Sequence, residues 1–95
     1  MSISYETIFI VDTSVTEDLV KATVEKFKNV LETSTKLEKF DEWGNKKLAY
    51  EIDGKTEGYY VFATFDAEPS FPSELERLYK INDGVIKYMT IKKKG

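Results

Sequence analysis

Residues 40–52 read FDEWGNKKLAYEI, and the way this stretch is built decides the fold. It holds Trp43, the sole tryptophan of the 95-residue chain, then Gly44, the adjacent Lys46 and Lys47, and an alternating Leu48-Ala49-Tyr50-Glu51-Ile52. Such alternation is that of a half-buried strand. Joined to what precedes it, the extended pattern runs over residues 35–53. At about 3.3 Å per residue, a straight strand of that length would span roughly 60 Å. A domain of about 100 residues has a radius of gyration near 13 Å, so the strand must bend or bulge. Gly44 permits this, because glycine accepts the positive φ that a bulge demands. Leu48, Tyr50 and Ile52 share one parity and are expected in the core, with Trp43 packing beside the bend.

The flanking sequence supplies the rest. SYETIFIVD (4–12) is rich in β-branched and aromatic residues with apolar side chains on both parities, which marks a central strand. Thr16 is placed to cap a helix, Glu17 and Asp18 suit the positive end of its dipole, and Val15 and Val20 are spaced as a hydrophobic staple. Val20, Val24, Phe27 and Leu31 then form one apolar stripe of a helix ending near Thr33. DGKTEG (53–58) reads as a turn and YYVFATFDA (59–67) as a second two-sided strand. Ser70 is placed to cap a second helix with Pro72 in its first turn and Phe71, Leu75 and Leu78 as its stripe. NDG (82–84) stops that helix, and VIKYMTI (85–91) is the last strand.

The order is βαββαβ. Right-handed crossovers and a hairpin between the second and third strands give an α+β, ferredoxin-like fold, one domain over residues 1–95. It is expected to hold a four-stranded antiparallel sheet with the first and third strands central and both helices on one face. The other face then has no helix to cover it.

Composition narrows the function. At 41% hydrophobic and 33% charged residues, the chain reads as a soluble globular protein. No apolar run approaches the roughly 20 residues of a membrane helix, and MSISYETIFIVD lacks the pattern of a secretory leader. A cytoplasmic location is expected. The absence of cysteine and histidine removes thiol nucleophiles, imidazole bases and thiolate zinc sites. No nucleophile elbow or glycine-rich phosphate loop is present. A small acylphosphatase-like enzyme shares this topology but needs an arginine cradle after the first strand, and VDTSVTED offers none. The one arginine, Arg77, sits mid-helix beside Glu74 and Glu76. No catalytic residue, cofactor, metal or small-molecule substrate is expected.

Net charge is −3, with five lysines against nine acids in residues 1–45 and nine basic against eight acidic groups in residues 46–95. A protein that binds nucleic acid alone usually presents a basic face, since phosphate neutralisation supplies most of the affinity. EGYYVFATF (57–65) sits where RNA-recognition-motif domains carry base-stacking aromatics, yet only Gly58 and Tyr59 match that signature in register. A stand-alone single-strand RNA-binding module is therefore the alternative reading.

EWGNKKLAYEI (42–52), a four-residue spacer and EGYY (57–60) together resemble the signature of bacterial small-subunit ribosomal protein six. In that family a glycine, a basic pair, Leu-Ala-Tyr and an isoleucine precede a turn and a Gly-Tyr-aromatic. Tyr5-Glu6 at the start of the first strand and KINDGVIKYMTIK (80–92) extend the resemblance over nearly the whole chain. It implies a ferredoxin-like structural protein of the small subunit. Such a protein binds the central domain of small-subunit ribosomal RNA as a heterodimer with the basic small-subunit ribosomal protein eighteen. Ser2, Ile3 and Ser4 are neutral where relatives often carry arginines, and many relatives continue past the position of Gly95. The resemblance makes the basic pair Lys46 and Lys47, together with Lys87, Tyr88, Lys92, Lys93 and Lys94, the candidates for RNA or partner contact. Lys46 and Lys47, adjacent in a strand, point to opposite faces. Tyr59, Tyr60 and Tyr88 are amphipathic aromatics suited to a protein partner on the uncovered face.

Overall fold

The computed structural model describes residues 2–52 and 54–93. Along the chain run β1 (Ile3–Asp12), α1 (Glu17–Ser34), β2 (Lys36–Ile52), β3 (Lys55–Ala67), α2 (Phe71–Ile81) and β4 (Val85–Lys92). This is the expected βαββαβ order. The sheet is antiparallel with strand order β2-β3-β1-β4, so β1 and β3 are central.

Parity on β1 sets the layers. Tyr5, Thr7, Phe9 and Val11 face the helices, paired with Phe65, Ala63, Val61 and Tyr59 of β3. The stripe Val20, Val24, Phe27 and Leu31 of α1 is buried against them. Rings from β1, α1 and α2 meet in the centre: Phe9 lies 5.2 Å from Phe27 and 5.2 Å from Tyr79, and Phe27 lies 4.6 Å from Tyr79. Each such pair adds about 0.5–1.5 kcal/mol beyond the area it buries. Tyr79, fully buried, adds to the stripe expected for α2, where a hydrophobicity pattern counts its phenol as polar. The fold satisfies that phenol: Thr7 Oγ1 lies 3.0 Å from Tyr79 Oη, 2.9 Å from Thr90 Oγ1 and 3.2 Å from the Met89 carbonyl.

Local chemistry sets the helix ends. Thr16 Oγ1 accepts from the Leu19 N–H, and α1 closes on the Thr35 N–H and hydroxyl, both donating to the Leu31 carbonyl. Val15 and Val20 line one groove, but Val15 stays exposed, so the expected staple is open on one side. Ser70 does not cap α2 as expected. Its backbone is already helical and its side chain makes no cap hydrogen bond, while the Phe71 N–H donates to the Glu68 carbonyl and Pro72 occupies the first turn.

β2 bends as its length requires: the longest dimension of the molecule is 40 Å, shorter than the roughly 56 Å of a straight strand of this length. The register shifts between Leu37 and Lys39, between Glu42 and Gly44, and between Lys47 and Ile52. Gly44 takes φ +85 at the second shift. The turn read over residues 53–58 is mostly strand, because Lys55, Glu57 and Gly58 pair with Ile52, Lys47 and Lys46. Asp53 lies outside the described residues. Tyr50, expected in the core, is 60% exposed, whereas Leu48 is buried; the third shift breaks the alternation that grouped them.

Gly44 and Gly58 are required for different reasons. A Cβ on Gly44 would meet no atom within 4 Å, so Gly44→Ala should cost about 1 kcal/mol through backbone conformation alone. At Gly58 a Cβ would sit 2.2 Å from Ile10 Cγ2, a β-branched side chain with little freedom to move aside. Gly58→Ala should therefore cost more than Gly44→Ala in urea unfolding, and the reverse order would contradict this assignment.

Burial pushes the Tyr79 phenol far above the usual tyrosine range, against a smaller lowering by its hydrogen bond to Thr7. A folded-state pKa raised above the unfolded value gives stability that is complete below about pH 10 and lost as pH rises above it. Tyr79→Phe should lower stability near neutral pH by about 1 kcal/mol and flatten its decline in alkali. A decline as steep as that of the parent protein would show that other groups cause it.

Candidate protein and RNA interface

The helix-free face is built from the opposite parity. Ile8 and Ile10 of β1 pair with Phe62 and Tyr60 of β3 and with Met89 and Lys87 of β4, while Glu6 pairs with Thr64 and Ile91. Trp43, the extra residue of the second bulge, lays its ring on Phe62 with centroids 5.4 Å apart and planes at 11°. Trp43 is 45% exposed, and Met89 and Ile91 are exposed with it. Trp43 therefore does more than pack beside a bend. A strip of Trp43, Phe62, Tyr60, Ile8, Met89 and Ile91 crosses the sheet from one edge strand to the other, and exposed apolar patches of this kind mark interaction surfaces.

Polar groups frame the strip. Ser4 Oγ donates to Asp66 at 2.6 Å, and Thr64 lies beside Glu38, whose carboxylate takes the Lys93 ammonium at 3.7 Å. At the other end the Lys87 ammonium donates to the Tyr50 hydroxyl at 2.6 Å and lies 4.7 Å from the centre of its ring.

The candidate residues thus separate. The bulge at Trp43 shifts β2 by one residue, so that Lys46 pairs with Gly58 on the helix-free side and Lys47 pairs with Glu57 on the helix side. Both are exposed, and among the described residues neither meets a carboxylate within salt-bridge distance. Lys92 is likewise exposed and unpaired, while Lys87 and Lys93 are engaged as above. Lys94 lies outside the described residues. Tyr88 faces the helices, stacked on Tyr79 at 5.3 Å. Tyr59 also faces that side and donates to Glu42 at 2.9 Å; burial and that carboxylate raise its phenol above the usual range. Of the three tyrosines that were candidates for the uncovered face, Tyr60 is the one that lies there. Phe62 and Trp43 were missed, although Tyr60 and Phe62 at i and i+2 carried the signal.

Elsewhere the surface holds little chemistry. A groove of about 500 Å³ between α1 and β2 is walled by Val15, Val20 and Val24, with Glu42 and Tyr59 across from them. A smaller polar hollow lies at Asp12, where the ammonium of Lys55 sits 3.8 Å from the carboxylate. Burial would raise the Asp12 carboxyl, but hydrogen bonds from Ser14 and the charge of Lys55 outweigh it and hold it below the usual range. Arg77 is bound to Glu74 on the surface of α2. Among the described residues no cluster of acids could hold a metal ion, and no helix is long and apolar enough to cross a membrane.

The sequence model of the family described as Ribosomal protein S6 matches residues 4–92. The small ribosomal subunit protein bS6 of Thermoanaerobacter pseudethanolicus is 47% identical over 90 residues, covering 94% of this chain and 95% of the relative. That of Clostridium beijerinckii is 48% identical over 88 residues, 92% of this chain and 93% of the relative. The crystal structure of 30S ribosomal protein S6 from Thermotoga maritima superimposes with a TM-score of 0.89 at 29% identity, covering 98% of this chain and 89% of that one. The overall fold is shared with the solved structure and nearly the full run of sequence with the relatives, and the chain belongs to the bacterial ribosomal protein S6 family, whose members are structural small-subunit proteins and not enzymes.

Proposed function

We propose that this chain is built into the small ribosomal subunit in the cytoplasm, where it binds the central domain of small-subunit ribosomal RNA as a heterodimer with small-subunit ribosomal protein eighteen. The observation that carries this reading is the division of its surface. The helix-free face is apolar at its centre, whereas Lys46, Lys47 and Lys92, exposed and without a carboxylate partner among the described residues, lie on the two edge strands. An apolar centre suits a protein, because buried aromatic anchors supply most of the energy of such interfaces. Scattered edge lysines on a chain of net charge −3 supply few phosphate contacts, and affinity for nucleic acid rises with their number. A basic partner seated on the strip would bring the missing charge, leaving the edge lysines to position the complex on RNA.

One observation favours a second reading. Trp43 on Phe62, with Tyr60 beside them, is a set of rings on which unpaired bases could stack. The match to the RNA-recognition signature does not support it, since Tyr59, the aromatic in register, faces the helices.

Titration of a central-domain RNA fragment at physiological salt separates the readings. The chain alone should bind weakly and the pair tightly, with Trp43 emission shifting to the blue when the basic partner is added before RNA. Equal affinity with and without the partner would defeat composite binding, and tight binding of single-stranded RNA by the chain alone would favour the stacking platform.

The two lysines of the basic pair should respond separately. Lys46→Glu and Lys47→Glu each leave stability within about 0.5 kcal/mol, as expected for exposed residues. The one whose face meets RNA should lower the salt slope of binding by about one phosphate contact. Loss of folding in either variant would instead make that residue structural.

A further inference from the structure

The hairpin arm formed by the end of β2 and the start of β3 leans over the helix-free face instead of continuing beside it. Between the register pairs Lys47↔Glu57 and Ile52↔Lys55, β2 carries Leu48, Ala49, Tyr50 and Glu51 where β3 carries only Thr56. This surplus accounts for a contact that strand order alone forbids. β2 and β4 are opposite edges of the sheet, separated in a flat sheet by roughly 14 Å, yet Tyr50 of β2 holds the ammonium of Lys87 on β4. Ile10 of β1 and Leu48 of the arm are 5% and 8% exposed, although neither belongs to the core under the helices. The arm is therefore fastened at its outer side to β4 by one lysine.

We propose that Lys87 has two positions: in the free protein it clasps the arm through Tyr50, and in the RNA complex it leaves the phenol for a phosphate. This deepens the RNA-binding reading above and rests on it. The physical basis is the nature of the present acceptor. Tyr50 offers a neutral oxygen and a ring face, whereas a phosphate offers full negative charge, so that attraction between opposite charges adds to a hydrogen bond that the ammonium donates in either case. Lys93 has no such incentive, being already held by the carboxylate of Glu38. Lys46, Lys47 and Lys92 have no carboxylate partner to give up among the described residues. Lys87 alone among these candidates is both restrained and held by something weaker than a phosphate. The exchange adds a cost to RNA binding, the opening of the clasp, and joins the position of the arm to the occupancy of the RNA site.

Tyr50→Leu and Lys87→Met test this in two measurements. In the free protein both should speed amide hydrogen exchange at residues 48–51 by about two- to fivefold, the factor for a cation–ring contact at an exposed site. In binding of the preformed pair to a central-domain RNA fragment the two should diverge. Lys87→Met should weaken binding and lower the salt slope by about one. Tyr50→Leu should keep the slope and tighten binding by about two- to fivefold, since the competing acceptor is gone. Unchanged exchange in both variants would remove the clasp. An unchanged salt slope in Lys87→Met would remove the phosphate, and weaker binding by Tyr50→Leu would mean that the clasp persists in the complex. Each of these overturns the exchange while leaving the RNA reading intact, whereas failure of the parent pair to bind would overturn both.

Discussion

The meeting of Phe9, Phe27 and Tyr79 is the constraint from which the rest follows. One ring comes from the central strand β1 and one from each helix, and their mutual contacts fix both helices on the same side of the sheet. A helix on each face would have closed the sheet into a self-sufficient three-layer body. With both on one side, Ile8, Tyr60, Phe62, Trp43, Met89 and Ile91 are left with no helix above them. Thr7 supports the junction from within the sheet, because its hydroxyl lets the one polar atom among the rings be buried at low cost.

Charge supplies the second constraint. Several of the cations are already committed: Lys21 to Glu17, Lys39 to Asp41, Lys55 to Asp12, Arg77 to Glu74 and Lys93 to Glu38. Exposed pairs of this kind contribute little to stability, but they lower the field the protein projects. Among the described residues, the lysines outside these pairs are scattered, Lys26, Lys28 and Lys80 on the helices and Lys36, Lys46, Lys47, Lys87 and Lys92 on the edge strands. Such a surface can orient a complex on RNA more readily than it can hold RNA alone, and this agrees with an apolar face open to a protein partner.

The fold was largely legible because its signals are local. The stripe of α1, the two-sided apolar strands and the excess length of β2 needed no tertiary information. The candidate interface was legible only in part, and bulges are the reason. Each extra residue in β2 reverses which parity faces which side. Reading straight through Trp43 gives no means of telling which of Lys46 and Lys47 lies on the helix-free side. The same effect carried Tyr50 out of its assigned place in the core. The face of Tyr59 stays open in the sequence for a related reason: on a strand apolar at both parities, alternation cannot show which face the helices cover.

The elements, their order, the need for a bend near Gly44 and the scarcity of basic charge were all readable from the chain alone, since they depend on spacing and composition within short reach along it. The tertiary structure decided which face each side chain of β2 presents, that Trp43 stacks on Phe62, and that Tyr50 meets Lys87 from the opposite edge of the sheet. Those outcomes turn on the position of single extra residues in a ladder. A ladder is fixed by pairing between strands far apart in sequence, where no local pattern can register it.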